Sequence, residues 1–457
     1  MQEPLIKLPP QVRKALERLN AAGYEAFAVG GCVRDALLGR TPNDWDVTTS
    51  ARPEQTAACF LDCRRIETGL KHGTLTVILD GMTLEITTFR QDGDYADHRH
   101  PVEVTFSPCV EEDLARRDFT VNAMAYHPER GLVDLFGGRE DLASRRIVCV
   151  GEPARRFDED GLRILRAIRF ASVLDFTVEE NTSAALREGR GLLAHIAAER
   201  IREEFCKLIC GVGAVRILEE YRDVVAQIIP ELEACMGFDQ HTRYHCYDVY
   251  GHTLRALSHS SADLRTRLAI LLHDVGKPSC YTRDGDGGHF YGHAEKSAEL
   301  TGEILRRLRF DRATEEAVTA LVGAHHRPIP TDEKSVKRLM QRFSDEDIQR
   351  LVALWRCDRL GCAPEFSTPD PALDQVLPTV ERLRSANACL SLRDLTVKGQ
   401  DLMAMGIPAG KELGELLGFL LDRVVDGELP NDRDELLRAA RNRWSSLKKQ
   451  DGFDNRT

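Results

Sequence analysis

The segment FAVGGCVRDALLGRTPNDWDVTTS, residues 27–50, constrains this chain more than any other. An apolar run ends at Gly30-Gly31, a helical stretch follows, and the chain returns in a strand that presents Asp44 and Asp46. Residues i and i+2 of a strand point to the same face, so the spacing predicts two carboxylates side by side. Adjacent carboxylates repel unless a cation sits between them, and oxygen ligands suit Mg²⁺. Backbone N–H groups at a Gly-rich turn and helix start can cradle phosphates. These parts together point to a metal-dependent enzyme acting on a nucleoside triphosphate.

The rest of the chain sets bounds on that enzyme. Its 457 residues suggest about three or four domains. The apolar and charged fractions, 42% and 30%, are those of a globular protein. No apolar run is long enough to span a bilayer, and the first twenty residues carry no apolar signal core. A cytoplasmic protein is therefore expected. Thirteen cysteines without a CxxC pair argue for reduced thiols and against a cysteine-built zinc site. The net charge of −11 argues against non-specific coating of nucleic acid, while leaving room for a local basic face.

Residues from about 22 to about 135 alternate strand-like and helical runs, the pattern of a mixed α/β region. Strands are predicted at Ala26–Val29, Thr74–Asp80 and Leu84–Thr88. Beyond about residue 140 the pattern is helical, and Leu162, Leu165, Ile168 and Val173 fall close to helical spacing. Cys362–Asp374, polar and Pro-containing, reads as a linker.

Two further blocks carry chemistry. In Arg116-Arg117-Asp118-Phe119-Thr120-Val121-Asn122, guanidinium groups match phosphate geometry, and Asp118 and Asn122 could hydrogen-bond a sugar hydroxyl. A surface ion-pair turn is the competing reading. In Arg156-Phe157-Asp158-Glu159-Asp160-Gly161-Leu162-Arg163, Asp160 and Arg163 stand at i and i+3, which predicts one helix face. A carboxylate and a guanidinium fixed there could read a nucleobase edge. An ordinary intrahelical ion pair is the alternative.

With these blocks in this order, the chain resembles the class II tRNA nucleotidyltransferases, the bacterial CCA-adding enzymes and their poly(A) polymerase relatives. The pieces are GGCVRDALLG, NDWDVTTSARPEQ, GLKHGTLTV, LEITTFRQDGDYADHRHPVEVTF, RRDFTVNAMAY, DLFGGREDL and RFDEDGLRILRAIRFA. The resemblance implies an α+β fold: a polymerase-beta-like mixed-sheet head (1–139), then a helical neck (140–225), an HD domain (240–365) and a helical body and tail (376–450). It implies that Asp44 and Asp46 bind Mg²⁺, that Gly30, Gly31, Arg34 and Arg116 hold the triphosphate, and that Asp118 and Asn122 sit at the ribose. Asp160 and Arg163, with Arg166 on the same block, would select CTP and then ATP without a template. Glu85 is the candidate third carboxylate, against a plain solvent-facing strand residue. Arg90–Pro101 resembles the family's flexible loop, which favours full CCA addition. Gly406-Ile407-Pro408-Ala409-Gly410-Lys411 could present N–H groups and Lys411 to an RNA phosphate, or could simply pack. The implied partners are tRNA, CTP and ATP, with neither DNA nor membrane.

A second metal site is expected in residues 240–365, which hold nine of the fourteen histidines. His252, His273-Asp274 and Asp358 make a mixed imidazole and carboxylate set that suits Mn²⁺, Fe²⁺, Co²⁺, Ni²⁺ or Zn²⁺. This stretch resembles the HD-domain phosphohydrolases. His293, His325 and His326 could widen the site or hold a second metal, and Lys277 could sit near a phosphate. Such a domain implies hydrolysis of phosphates at tRNA 3′ ends, or else a metal-stabilised helical module. Two alternatives remain for the whole chain. One is a poly(A) polymerase or an enzyme adding only A or only CC; the other is an HD phosphohydrolase with an RNA-binding head.

Overall fold

The computed structural model describes residues 6–70, 73–92, 104–242, 246–284 and 287–454. Its chain divides into two compact units, residues 1–234 with 304–310, and residues 235–303 with 311–457.

The first unit is built on a seven-stranded mixed sheet. Its strands are β1 (Ala26–Val29), β2 (Trp45–Thr49), β3 (Arg64–Ile66), β4 (Thr74–Leu79), β5 (Met82–Thr88), β8 (Met124–His127) and β9 (Gly131–Asp134), in the order β3-β4-β5-β2-β1-β8-β9. The three strands predicted from the sequence are present; β4 ends at Leu79 and β5 begins two residues early, at Met82. β1, with the sequence AFAV, is buried along its whole length, as a central strand of one apolar run should be. β4 alternates half-buried and buried residues, so Leu75, Val77 and Leu79 face the core. The β4–β5 connection is a two-residue turn, Asp80-Gly81, with φ of 47° and 82°. Positive φ at both positions suits a tight hairpin, and Asp-Gly supplies it at low cost.

β2 and β5 run parallel while the other pairings in this sheet are antiparallel. The helix Pro10–Ala21 buries Val12, Ala15, Leu16 and Leu19, an i, i+3, i+4, i+7 stripe, and packs on β1. The ribbon β6 (Arg90–Asp92) with β7 (Val104–Phe106) flanks residues 93–103. Most of the segment read as a flexible loop thus lies outside the described residues.

Beyond the sheet this unit is helical. Leu162–Leu174 is its central helix and buries most of its length; it packs against Ala198–Ile209, where the Ser172 hydroxyl donates to the Leu208 carbonyl at 2.7 Å. The single helix face expected to carry Asp160 and Arg163 is interrupted. Pro153–Glu159 ends at Asp160, whose φ of −143° and ψ of 103° are extended, and a new helix starts at Leu162. Asp160 and Arg163 therefore do not share a face of one helix.

The second unit is almost entirely helical. His252 lies in the helix Val249–Ser258 and His293 opens His293–Arg307; His273 and His325 directly follow Leu264–Leu272 and Arg312–Ala324, and Asp345–Gly361 carries Asp358. Four of these starts are fixed by side-chain caps: Asp248, Asp263, Asp311 and Ser344 accept from the backbone N–H two or three residues on. The linker predicted at Cys362–Asp374 ends earlier, because the helix Pro371–Ser385 begins inside it, with Pro at its first position. The tail helices Gly399–Ala404, Lys411–Val425 and Arg433–Asp454 surround their own core of Leu395, Val397, Leu402, Leu420, Leu436 and Ala440.

Candidate functional site

The first site sits on β2 and β5. Their register places Asp46 directly opposite Glu85. Both point to the open face, and with Asp44 they line a cleft of about 360 Å³ with Asn43 and Thr83. The strand starts at Trp45, so Asp44 precedes β2 rather than lying on it; it is exposed, while Asp46 is half-buried. Burial above all, and then the Asp44 and Glu85 charges, push Asp46 up to about 6, with Arg117 opposing them. Such crowding of carboxylates is what a divalent cation relieves, so the donor set fits one.

The same face of β2 organises the arginines. The Thr48 hydroxyl, two residues on from Asp46, donates to Asp113 at 3.1 Å. Asp113 is fully buried and holds both Arg116, at 2.7 and 3.0 Å, and Arg117, at 3.3 Å. Its carboxyl stays below the usual range because the two guanidiniums outweigh its burial. Arg117 also borders the glycine turn. Gly30 has φ of 80°, and a Cβ there would stand 2.8 Å from the Arg117 guanidinium. The positive φ favours glycine at this position, and a Cβ would also displace the Arg117 guanidinium.

Arg34 leaves the helix Gly31–Leu37 and donates to the Asn122 side-chain oxygen at 2.7 Å and to Asp35 at 2.8 Å. Asn122 reaches Asp118 at 3.3 Å, and Arg166 grips Asp118 at 2.6 and 2.8 Å. Gly30, Arg34, Asp118, Asn122 and Arg166 are thereby joined around one network, with Arg34 and Arg166 both over the Phe170 ring. Asp160 and Arg163 are joined through the backbone, the Arg163 N–H donating to the Asp160 carbonyl at 2.9 Å, while their side chains go to other partners. Arg163, buried, bonds Glu159 at 2.6 Å and the Arg116 carbonyl at 3.3 Å. Asp160 pairs with Arg200 at 3.1 Å and accepts from the Leu162 N–H at 3.1 Å.

The sequence reading missed Asp113 and Arg200, and did not single out Arg117 from Arg116. Asp113 carries a local signal, since it stands three and four residues before the two arginines. Arg200 carries none, because its partner is forty residues away.

The second site gathers His252, His273, Asp274 and Asp358, with ligand atoms all within 4.8 Å of one another. His252 Nε2 lies 2.9 Å from Asp358 and 3.6 Å from Asp274; His273 Nε2 lies 3.1 Å from Asp274 and 3.4 Å from Asp358. A second group, His293, His325 and His326, adjoins it. His293 and His325 Nε2 atoms are 3.2 Å apart and stand 3.7 and 3.6 Å from the other oxygen of Asp274. The two Asp274 oxygens therefore face two histidine pairs.

Three histidines are set up as ligands by the backbone. Nδ1 of His273, His293 and His325 lies 2.7, 2.8 and 2.6 Å from the carbonyls of Ile270, Phe290 and Val322. A carbonyl only accepts, so each Nδ1 carries the proton and each Nε2 offers a lone pair. Both buried Asp274 oxygens lack a well-aligned hydrogen bond, although the Lys277 ammonium lies 2.6 Å from one of them. A buried carboxylate left this way among imidazole nitrogens fits a transition-metal ion. Lys277 is itself held by the buried side chain of Gln240 at 2.9 Å, a partner thirty-seven residues away that leaves no local trace in the sequence. Asp358, at 31% side-chain exposure, is the most exposed of the four, and it lines the cavity together with Asp274.

In the tail, Gly406 and Gly410 have φ of 86° and 140°, and Lys411 opens the helix Lys411–Val425 with its side chain 89% exposed. Among the described residues no helix is long and apolar enough to cross a membrane.

Three family models match the chain: the poly A polymerase head domain at residues 26–148, the probable RNA and SrmB-binding site of polymerase A at 175–236, and tRNA nucleotidyltransferase domain 2 at 292–440. The chain is 47% identical over 428 residues to a CCA-adding enzyme of Lactobacillus delbrueckii subsp. bulgaricus, covering 93% of this chain and 95% of that one. It is 33% identical over 432 residues to the CCA-adding enzyme of Levilactobacillus brevis, covering 93% and 96%. Among solved structures, the Bacillus stearothermophilus CCA-adding enzyme in complex with CTP superposes with a TM-score of 0.73 at 28% identity, covering 97% of this chain and all of that one. With near-complete coverage by such relatives, the chain belongs to the class II tRNA nucleotidyltransferases, the family of the CCA-adding enzymes.

Proposed function

We propose that this chain adds CCA to the 3′ end of tRNA, taking CTP and then ATP without a nucleic-acid template. The observation that carries this reading is the β2–β5 register, which sets Asp46 against Glu85 beside Asp44 in a chain of this family. Asp44, Asp46 and Glu85 hold Mg²⁺. When bound, the metal supplies neutralisation of the triphosphate and acidification of the attacking hydroxyl. Gly30, Gly31, Arg34, Arg116 and Arg117 bind the triphosphate, and Asp118 and Asn122 orient the ribose. The 3′ oxygen of the tRNA attacks the α-phosphorus, the α–β anhydride bond breaks, and pyrophosphate leaves. What these side chains contribute is alignment and charge complementarity.

Asp160 and Arg163, with Arg166 behind them, read the base edge. Their separate anchors, Arg200 and Glu159, hold a carboxylate acceptor and a guanidinium donor in fixed places, which is what protein-based base selection requires. In this reading residues 1–139 form the head, 140–225 the neck, 240–365 the HD domain and 376–450 the body and tail. The turn at Gly406–Lys411 offers N–H groups and an ammonium to the tRNA backbone. The protein works in the cytoplasm.

The deciding assay offers tRNA transcripts that end before CCA, after C and after CC, with labelled CTP or ATP. Stepwise C, C, A incorporation is expected. Long A tails identify a poly(A) polymerase, and products that stop at CC or take only A identify the partial enzymes; any of these overturns the assignment.

The clustering of His252, His273, Asp274 and Asp358 favours a second activity, hydrolysis of phosphate esters at tRNA 3′ ends. A bound divalent transition metal would supply an activated water there. The water oxygen bonds to phosphorus, the P–O ester bond breaks, and the alcohol leaves with a proton. A second metal would be held by His293 and His325, and Lys277 is placed to meet the phosphate. Asp274→Ala should abolish metal-dependent phosphatase activity and spare nucleotide addition. Loss of both activities would refute the two-site picture.

A further inference from the structure

The HD ligands open into a cavity of about 1140 Å³, larger than the usual 300–1,000 Å³ small-molecule site. One wall of it is aromatic. Tyr291 is 77% exposed, and its ring stacks on His289 with centroids 5.4 Å apart and planes 12° from parallel. His289 covers one face of the ring, so the high exposure leaves the opposite face open.

The chain path ties this shelf to the ligands. Tyr291 is two residues before His293, which puts their Cα atoms at most about 7 Å apart. Gly292, with φ of 75°, makes the turn between them. Phe290 accepts both the His293 N–H and its Nδ1–H through one carbonyl, at 3.2 and 2.8 Å. The same three-residue turn thus sends an imidazole inward to the ligand group and a phenol ring outward to the cavity. Arg327 and Lys277 line the same cavity, one exposed and one buried beside Asp274.

We propose that Tyr291, backed by His289, is a stacking platform for the terminal nucleobase of a single-stranded RNA 3′ end whose phosphate enters the His/Asp site. Every base has a π-face, so such a platform accepts any 3′-terminal nucleotide, and stacking of this kind is worth roughly 5- to 150-fold in affinity. The cavity exceeds what one nucleotide fills, and Arg327 supplies a cation for a preceding phosphate, which favours an RNA end over a free nucleotide. This platform rests on the phosphohydrolase reading for its chemistry, but its binding is tested separately.

The test uses the full-length protein. Tyr291→Trp is titrated with a 3′-phosphorylated CpCpA trinucleotide, with its analogue abasic at the last position, and with adenosine 3′-monophosphate. Stacking quenches the new tryptophan, read against the emission of the parent protein. Quenching by the trinucleotide but not by the abasic analogue is expected. In parallel, phosphate release with Mn²⁺ is measured for the parent and Tyr291→Ala. The ratio of KM for the abasic analogue to KM for the trinucleotide should be at least about tenfold in the parent and collapse toward one in Tyr291→Ala. Quenching without phosphate release upholds the platform and overturns the phosphohydrolase reading. Phosphate release with no quenching and the same KM ratio in both proteins overturns the platform. Binding of the mononucleotide as tight as that of the trinucleotide overturns the RNA-end assignment.

Discussion

Asp46 illustrates how far one residue could be read. Its spacing from Asp44 predicted a carboxylate pair, and the register adds Glu85 as the third. Asp46→Asn should lower nucleotide addition by about 10²–10³-fold, measured as initial rate at saturating CTP. Asp113 went unread although it stands three and four residues before the arginines; it touches no expected ligand and acts by fixing Arg116 and Arg117. Replacing it by Ala leaves two paired arginines without their buried partner. The expected cost is about 3 kcal/mol in denaturant unfolding. Asp118 gives a pH signature. Its burial alone would raise it, but Arg166 outweighs that and holds it down to about 2. A depressed folded value means stabilisation that is full above the unfolded pKa of about 3.9 and is lost as pH falls through the folded one, about 2.6 kcal/mol in all. Asp118→Asn should flatten this acid limb of the stability curve, followed by circular dichroism between pH 5 and 2.

At the scale of elements, periodicity marked the strands well where alternation was regular, as in TLTVIL of β4, but it carried Asp80 into the strand, where the structure has the Asp80-Gly81 turn. It failed at Asp160. Apolar residues on both sides keep helical spacing, yet Gly161 packs so closely that a Cβ there would stand 3.0 Å from Leu192 Cβ. That approach of distant segments sits at the break. A similar close approach positions the turn that carries Asn122. The helix Gly138–Ala143 lies against the turn Thr120–Asn122, and a Cβ on Gly138 would come within 2.2 Å of the Thr120 carbonyl oxygen. Gly138→Ala should therefore shift the turn that carries Asn122. The expected cost is roughly 1–3 kcal/mol of stability, together with a raised KM for CTP, measured by thermal denaturation and by steady-state kinetics.

For the molecule as a whole, the two candidate sites lie in two different units of one chain. Metal should therefore stabilise the second unit independently of nucleotide. Mn²⁺ added to chelated protein at about a hundred times its dissociation constant should contribute about 2.7 kcal/mol to the unfolding of that unit. Calorimetry should show the shift in the parent and not in His252→Ala. The sequence by itself determined the family, the mixed-sheet head, the carboxylate pair and the histidine-rich metal set. Each of these rests on residue types at short, fixed spacings or on ordered blocks. Only the tertiary structure decided that Glu85 stands across from Asp46, that Asp160 and Arg163 answer to different partners, that Gln240 holds Lys277, and that Tyr291 opens onto the metal cavity. Those relations join residues through space across strands and helices, and nothing in the local order of side chains encodes the distance between them.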